Sequence, residues 1–125
     1  MRIALTSVCV DDPAKAFSFY TEVLGFRERM YVPEAGLAIV VSPEEPDGTG
    51  LLLEPNGNPI ARTYQEALYK EGLPAIVFGV ENVHNEYDRL GALSVVFRGE
   101  PETMDWGTQA VFDDTCGNLI RLHQL

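Results

Sequence analysis

The side chains able to do acid–base, nucleophilic or metal chemistry are few: two histidines, His84 and His123, two cysteines, Cys9 and Cys116, and a handful of acids and arginines within apolar segments, Glu54 and Arg121 among them. Cys9 is a nucleophile only as a thiolate, and no neighbouring charge in the sequence would ionise it. A small buried hydrophobe is the simpler role. His84 falls on the polar side of a predicted helix. His123, on a predicted strand, is a base, a ligand or a hydrogen-bonded strand histidine. Asp113-Asp114 has the look of paired catalytic carboxylates, yet Gly117-Asn118 follows, and aspartates in such a turn bond backbone N–H groups. Trp106, in a loop over 101–107, is a lid or stacking platform for a ligand, or packing over a sheet edge; Tyr31 has the same two readings. Nothing matches a phosphate loop, a zinc-peptidase helix or a serine triad.

The elements that must position these residues read from periodicity. Ile3, Leu5, Ser7 and Cys9 alternate with Ala4, Thr6, Val8 and Val10, which is a strand with two usable faces. Asp12-Pro13 is an N-cap followed by proline at the first helical position, and the helix carries Ala16, Phe17, Tyr20, Val23 and Leu24 as its stripe to a stop at Gly25. Strands are predicted over 26–33, 36–42 and 51–54. A helix over 60–71 follows, with Ile60, Ala61, Tyr64 and Leu68 on one side. The first pattern then returns: a strand over 75–80, a second N-cap at Asn82, a helix with Val83, Tyr87 and Leu90 that ends at Gly91, and strands over 94–98, 108–113 and 119–124.

The composition fits one globular domain. The chain has 125 residues, 46% of them hydrophobic and 22% charged, enough for a core without disulfide staples. Nine basic against 19 acidic residues give a net charge of −10, spread along both halves. Phosphates would meet net repulsion, which argues against a nucleic-acid partner. No apolar run approaches the length of a membrane span. The opening apolar stretch lacks a signal-peptide cleavage site and is closed by Asp11-Asp12. The expected setting is cytoplasmic.

Val10-Asp11-Asp12 returns as Val80-Glu81-Asn82, and Phe17 as Tyr87, a repeat of about 70 residues. Leu53-Glu54 lines up with Ile120-Arg121. Each half reads strand, helix, three strands. The expected fold is therefore α+β: two tandem βαβββ modules (1–58 and 72–125, joined by the linker helix 60–71) in a single domain spanning 1–125. Side by side they form an eight-stranded cup-shaped sheet with helices on its convex face and a cavity on its concave face.

The stretch Val10-x-Asp12 … Ala16-x-x-Phe19-Tyr20-x-x-x-Leu24-Gly25-Phe26, the later Val80-Glu81-Asn82, and the closing Phe112-Asp113-Asp114-x-x-Gly117-Asn118-x-Ile120 resemble the vicinal oxygen chelate superfamily. That group includes glyoxalase I, bleomycin-resistance proteins, fosfomycin-resistance enzymes and extradiol dioxygenases. The resemblance covers the whole chain. It implies the paired-module fold and a homodimer, and it places the metal ligands of metal-dependent members (His, Glu, His, Glu) at Leu5, Glu54, Ala75 and Arg121. Only Glu54 keeps a donor. Leucine and alanine have none, and a guanidinium cannot coordinate. One carboxylate falls short of the three or so protein ligands that catalytic sites use. The expectation is no metal and no cofactor, which also removes the enediolate chemistry of glyoxalase I. A replacement site of Glu54 and His123 is the conceivable exception.

Glu54 and Arg121, taken as equivalent positions of the two modules, are expected to pair at the cavity floor, closing it or serving a ligand. Alternation puts Ser7 and Cys9 beside Leu5 on the concave face, and His123 beside Arg121. The ligand-binding candidates are thus Leu5, Ser7, Glu54, Ala75, Val77, Trp106, Arg121 and His123, with no catalytic residue assigned. Three functions fit: a small-molecule binder without metal, like the bleomycin-resistance branch; a lyase or isomerase using Arg121 and Glu54, with Arg121 stabilising an oxyanion, or a non-standard metal site; and a protein-interaction module with a vestigial cavity. The first is preferred. The acidic surplus favours a cationic ligand and Arg121 an anionic group, so no ligand is named.

Overall fold

A computed structural model describes all 125 residues. The chain is α+β and is built from two tandem βαβββ modules. It divides into two compact units, Met1–Tyr64 and Gln65–Leu125.

In the first unit, β1 (Leu5–Val10), β2 (Arg27–Val32), β3 (Leu37–Val41) and β4 (Gly50–Pro55) form a mixed sheet in the order β1-β4-β3-β2. The β1–β4 pair is parallel and the others antiparallel. Helix α1 (Pro13–Ser18) starts where the sequence predicts: Asp12 Oδ1 accepts from the N–H groups of Ala14 at 3.0 Å and Lys15 at 3.3 Å. These are donors that the first helical turn leaves unpaired. The predicted helix to Leu24 is not α-helical throughout. Phe19–Val23 widens into a π turn in which Leu24 N–H donates to Phe19 O at 3.1 Å, and Thr21 Oγ1 donates back to Phe17 O at 2.7 Å. Packing explains the wider turn, because it seats Tyr20 with no exposed surface. Helix α1 lies on β3 and β4.

The second unit repeats the plan. Strands β5 (Ile76–Val80), β6 (Glu102–Met104), β7 (Gly107–Asp113) and β8 (Leu119–Gln124) take the order β5-β8-β7-β6, again with the first pair parallel. The eight strands thus pair as two ladders of four, each within one module. Helix α3 (Val83–Ala92) is capped by Asn82, whose Oδ1 accepts from Asn85 N–H at 2.9 Å, and it packs on β7 and β8. It runs past Gly91, and the left-handed residue beyond it is Ser94 at φ 68°.

Two expectations require correction here. The strand predicted over 94–98 is absent. Phe97 makes one isolated bridge to Phe112, Arg98 N–H donates to Val111 O, and the strand that pairs with β7 on the side away from β8 is β6, inside the predicted loop 101–107. The left-handed Ser94 ends regular pairing before it starts. The linker helix, α2 (Pro59–Lys70), forms as expected, but its apolar side is only partly covered: Ala61 and Leu68 are half-buried and the other two predicted residues are exposed. Ile60 is 81% and Tyr64 65% exposed, whereas Gln65 is 5% exposed. Polar satisfaction decides this: Gln65 Nε2 donates to Cys116 O at 3.1 Å and Asn118 Oδ1 at 3.3 Å, and Tyr69 Oη donates to Asp113 Oδ2 at 2.5 Å.

Candidate functional site

Strand alternation gives each sheet two unlike faces. On the first, Val8, Val10, Ala38, Val40, Leu51 and Leu53 all lie under 6% exposed beneath α1 and its π turn. The opposite face carries Leu5, Ser7, Cys9, Ile39, Leu52 and Glu54, and only part of it is covered. On the second sheet Ala110, Phe112, Ile120 and Leu122 face α3 with at most 4% exposure. The other side presents Val77, Gln109, Val111, Leu119, Arg121 and His123. All the candidates on these strands therefore lie on open faces: Leu5, Ser7 and Glu54 in one unit, Val77, Arg121 and His123 in the other. Ala75 is half-buried just ahead of β5, its N–H bonded to Leu119 O.

In the first unit Ser7 and Glu54 are exposed, and Cys9 sits directly across from Glu54 in the β1–β4 ladder. Burial pushes the Cys9 thiol up from its ordinary range, and the Glu54 carboxylate adds to the rise. The thiol is held protonated, so a nucleophilic role has no support. Arg29, on the bulged edge of β2, reaches over this face, with Nη1 3.0 Å from where a Cβ on Gly50 would stand. Its Nη2 is occupied, donating to Pro46 O at 3.0 Å and Gly48 O at 2.9 Å.

The second unit differs. Arg121 is half-buried between Val77 and Val111, and its Nε is buried with no hydrogen-bond partner. Salt bridges form at Lys15–Asp11 and Arg89–Glu86; Arg121 has no acid of its own module in ion-pair range. His123, half-buried, and Gln109, its antiparallel partner, complete the polar set. The imidazole leans on Gly107, whose missing Cβ would stand 3.2 Å from Cε1, at a φ of 128° that suits glycine alone. The His123 side chain makes no hydrogen bond, against the reading of it as a hydrogen-bonded strand histidine. Trp106 is 66% exposed in the β6–β7 turn, so it does not pack over the sheet edge. Tyr31 is taken up by a parallel stack on Phe17 at 4.0 Å.

Strand register also corrects the pairing of the two modules. Val10 is opposite Pro55 and Val80 opposite Gln124. With Val10 and Val80 equivalent, Glu54 corresponds to His123, and Arg121 corresponds to Leu52. The expected symmetry between Glu54 and Arg121 is displaced by two residues.

Within neither module do three or more His, Cys, Asp or Glu side chains gather at metal-binding range. Of the positions the resemblance names, Leu5 and Glu54 in the first module supply one carboxylate, and Ala75 and Arg121 in the second supply no donor; in neither module does the donor set fit the metal. Asp113-Asp114 is structural: Asp114 is wholly buried, Oδ1 accepting from the N–H groups of Cys116 at 2.7 Å and Asn118 at 3.0 Å, and Oδ2 from Asn118 Nδ2 at 2.9 Å. A cleft of about 360 Å³ lies elsewhere, lined by Tyr87, Asp88, Val95, Phe97 and Glu100 on the α3 side, and it includes none of the candidates.

Residues 2–122 match the family model for the Glyoxalase/Bleomycin resistance protein/Dioxygenase superfamily. The chain is 49% identical to the uncharacterized protein YurT of Bacillus subtilis (strain 168) over 126 residues, 99% of each chain. Among solved structures it is similar to UcmS2, with 31% identity, a TM-score of 0.82, and coverage of 100% of this chain and 98% of that one. It is also similar to TnmS3, an antibiotic binding protein from Streptomyces sp. CB03234, with 28% identity, a TM-score of 0.78, and coverage of 99% and 95%.

Proposed function

Starting from a chain that belongs to the Glyoxalase/Bleomycin resistance protein/Dioxygenase superfamily, we propose that it binds a small organic molecule against an open sheet face, without a metal. The observation that carries this reading is the asymmetry of each sheet. One face is sealed by a helix, while the other leaves Leu5 47% and Val77 51% exposed. Unfilled apolar surface beside a few polar groups is the usual lining of a small-molecule site. The kinship with TnmS3, an antibiotic binding protein, supports it. Ser7, Glu54, Ala75, Trp106, Arg121 and His123 are the further contacts this reading assigns. It takes residues 1–125 as one functional domain, a homodimer, in the cytoplasm.

The test is titration of the purified protein with the neutral fluorescent dye N-phenyl-1-naphthylamine, with and without EDTA. The expected result is saturable binding at roughly micromolar affinity, unchanged by the chelator. No binding, or binding that requires an added divalent ion, overturns the reading. A lyase or isomerase working through Arg121 and Glu54 is the second reading, and the unpaired Arg121 guanidinium is what favours it.

A further inference from the structure

Among the polar side chains on the open faces, one has a buried donor with nothing to bond. Arg29 reaches over the first sheet with its Nη2 engaged by Pro46 O and Gly48 O. Arg121 is the reverse: its Nε is buried and has no acceptor. His123 lies two residues along the same strand and face, and Gln109 stands opposite His123, diagonal to Arg121. All three are half-buried on one face of one sheet, and Val77, Val111 and Leu119 flank Arg121 with hydrocarbon. Buried donors are nearly always paired, and an unpaired one forfeits its hydration for nothing.

The geometry of a guanidinium narrows the occupant. Nε–H and one Nη–H point the same way and match two oxygens of an oxyanion, the pair of a carboxylate or two of a sulfonate's three. His123 and Gln109, on the same face, each carry an N–H donor as well. Alternation places two carboxylates on this face: Glu102, opposite Gln109 and exposed, and Asp113, opposite Leu119, whose oxygens are taken up by Thr115 N–H and Tyr69 Oη; neither is in ion-pair range of Arg121. The net charge of −10 opposes an anion at long range. At physiological salt that field is screened beyond about 8 Å, whereas a direct guanidinium contact is not. The contact therefore decides.

We propose that the open face of β5, β8 and β7 is an oxyanion subsite, in which Arg121, flanked by His123 and Gln109, takes the carboxylate or sulfonate of an otherwise apolar small molecule. The proposal rests on the binding function above and names the ligand class.

The experiment compares two dyes with one ring system: 8-anilinonaphthalene-1-sulfonate, an anion, and N-phenyl-1-naphthylamine, its neutral counterpart. Wild-type protein is expected to bind the sulfonate about tenfold more tightly, the scale of a charge-assisted hydrogen bond. Arg121→Met is expected to abolish that preference, the ratio of sulfonate to neutral-dye affinity falling to about one. Arg121→Lys restores part of it, because an ammonium keeps the charge and loses the Nε edge. Thermal melts confirm that the variants fold. The wild-type comparison of the two dyes stands without them. Equal affinity for both dyes, or a preference that survives in Arg121→Met, overturns the oxyanion subsite and leaves the binding function standing. Failure of both dyes to bind sinks the binding function itself.

Discussion

Replacing Asp114 by alanine tests whether the acidic pair is architecture or chemistry. The carboxylate has no exposed surface. Its Oδ1 takes two backbone N–H groups, of Cys116 and Asn118, and its Oδ2 takes the Asn118 side chain. Alanine leaves two buried amides without acceptors, each costing about 1–3 kcal/mol. It also frees Asn118 Oδ1 to drift from Gln65, the buried anchor of α2. The expected loss is about 3–4 kcal/mol, a large share of the roughly 5–15 kcal/mol that holds a domain folded. At about 2.1 cal/mol/K per residue, the 125-residue chain should melt at a temperature lower by about 10–15 °C. Urea unfolding followed by circular dichroism gives the free energy and thermal melts give the shift. Asp113→Ala is the control. Its Oδ1 accepts from Thr115 N–H at 2.8 Å and its Oδ2 from Tyr69 Oη, at a half-buried position, so the loss should be about 1 kcal/mol. A loss below about 1 kcal/mol for Asp114→Ala, or a larger one for Asp113→Ala, would refute the accounting.

Two further outcomes follow from shifted ionisations. With its thiol raised by burial and by Glu54, Cys9 should react with iodoacetamide at pH 8 more slowly than an unfolded cysteine. The rate should climb with pH, and Glu54→Gln, which removes the like charge, should speed it a few-fold; mass spectrometry of the labelled protein reads this, and no change in Glu54→Gln would contradict the coupling. The Tyr69 hydroxyl is raised by its hydrogen bond to Asp113, then by burial and the Asp113 charge, against a lowering by Arg98. Because the folded value lies above the unfolded one, this contribution is complete below the ordinary tyrosine range and is lost as pH rises through the folded value. Stability measured across pH 9–12 should fall more steeply for wild type than for Tyr69→Phe; parallel curves would dismiss the linkage.

What the sequence discloses, and what it conceals, follows from which signals are local. The caps at Asp12 and Asn82 are legible because a side chain two or three residues from its acceptors needs no tertiary knowledge. The two-faced character of the first strand is legible for the same reason. Register between strands is not. Placing Arg121 opposite Glu54 in the repeat, instead of His123, is a slip of two residues. A slip of two keeps every side chain on its own face, so alternation cannot detect it. The strand expected over 94–98 failed differently: Val95, Val96 and Phe97 have strand propensity, but the segment begins at the left-handed Ser94 (φ 68°) and is reduced to one bridge, Phe97 to Phe112. Gln65 was missed as an anchor because its partners, Cys116 and Asn118, lie some fifty residues away.

The corrected register changes how the duplication bears on function. At the two equivalent pairs of positions, the first module has Leu52 and Glu54 where the second has Arg121 and His123. One face thus carries hydrocarbon and an acid, the other a guanidinium and an imidazole. Had both modules kept like residues, each open face would select the same ligand group. Instead the acid is spent beside the Cys9 thiol, where it raises the cost of ionisation, and Arg29 on that side is committed to the loop at Pro46 and Gly48. Only the second face retains a cationic donor with unused, desolvated bonding capacity. On the proposed binding reading, a ligand with one polar end and an apolar body would take its orientation from Arg121 of the second module rather than from the overall charge of the protein.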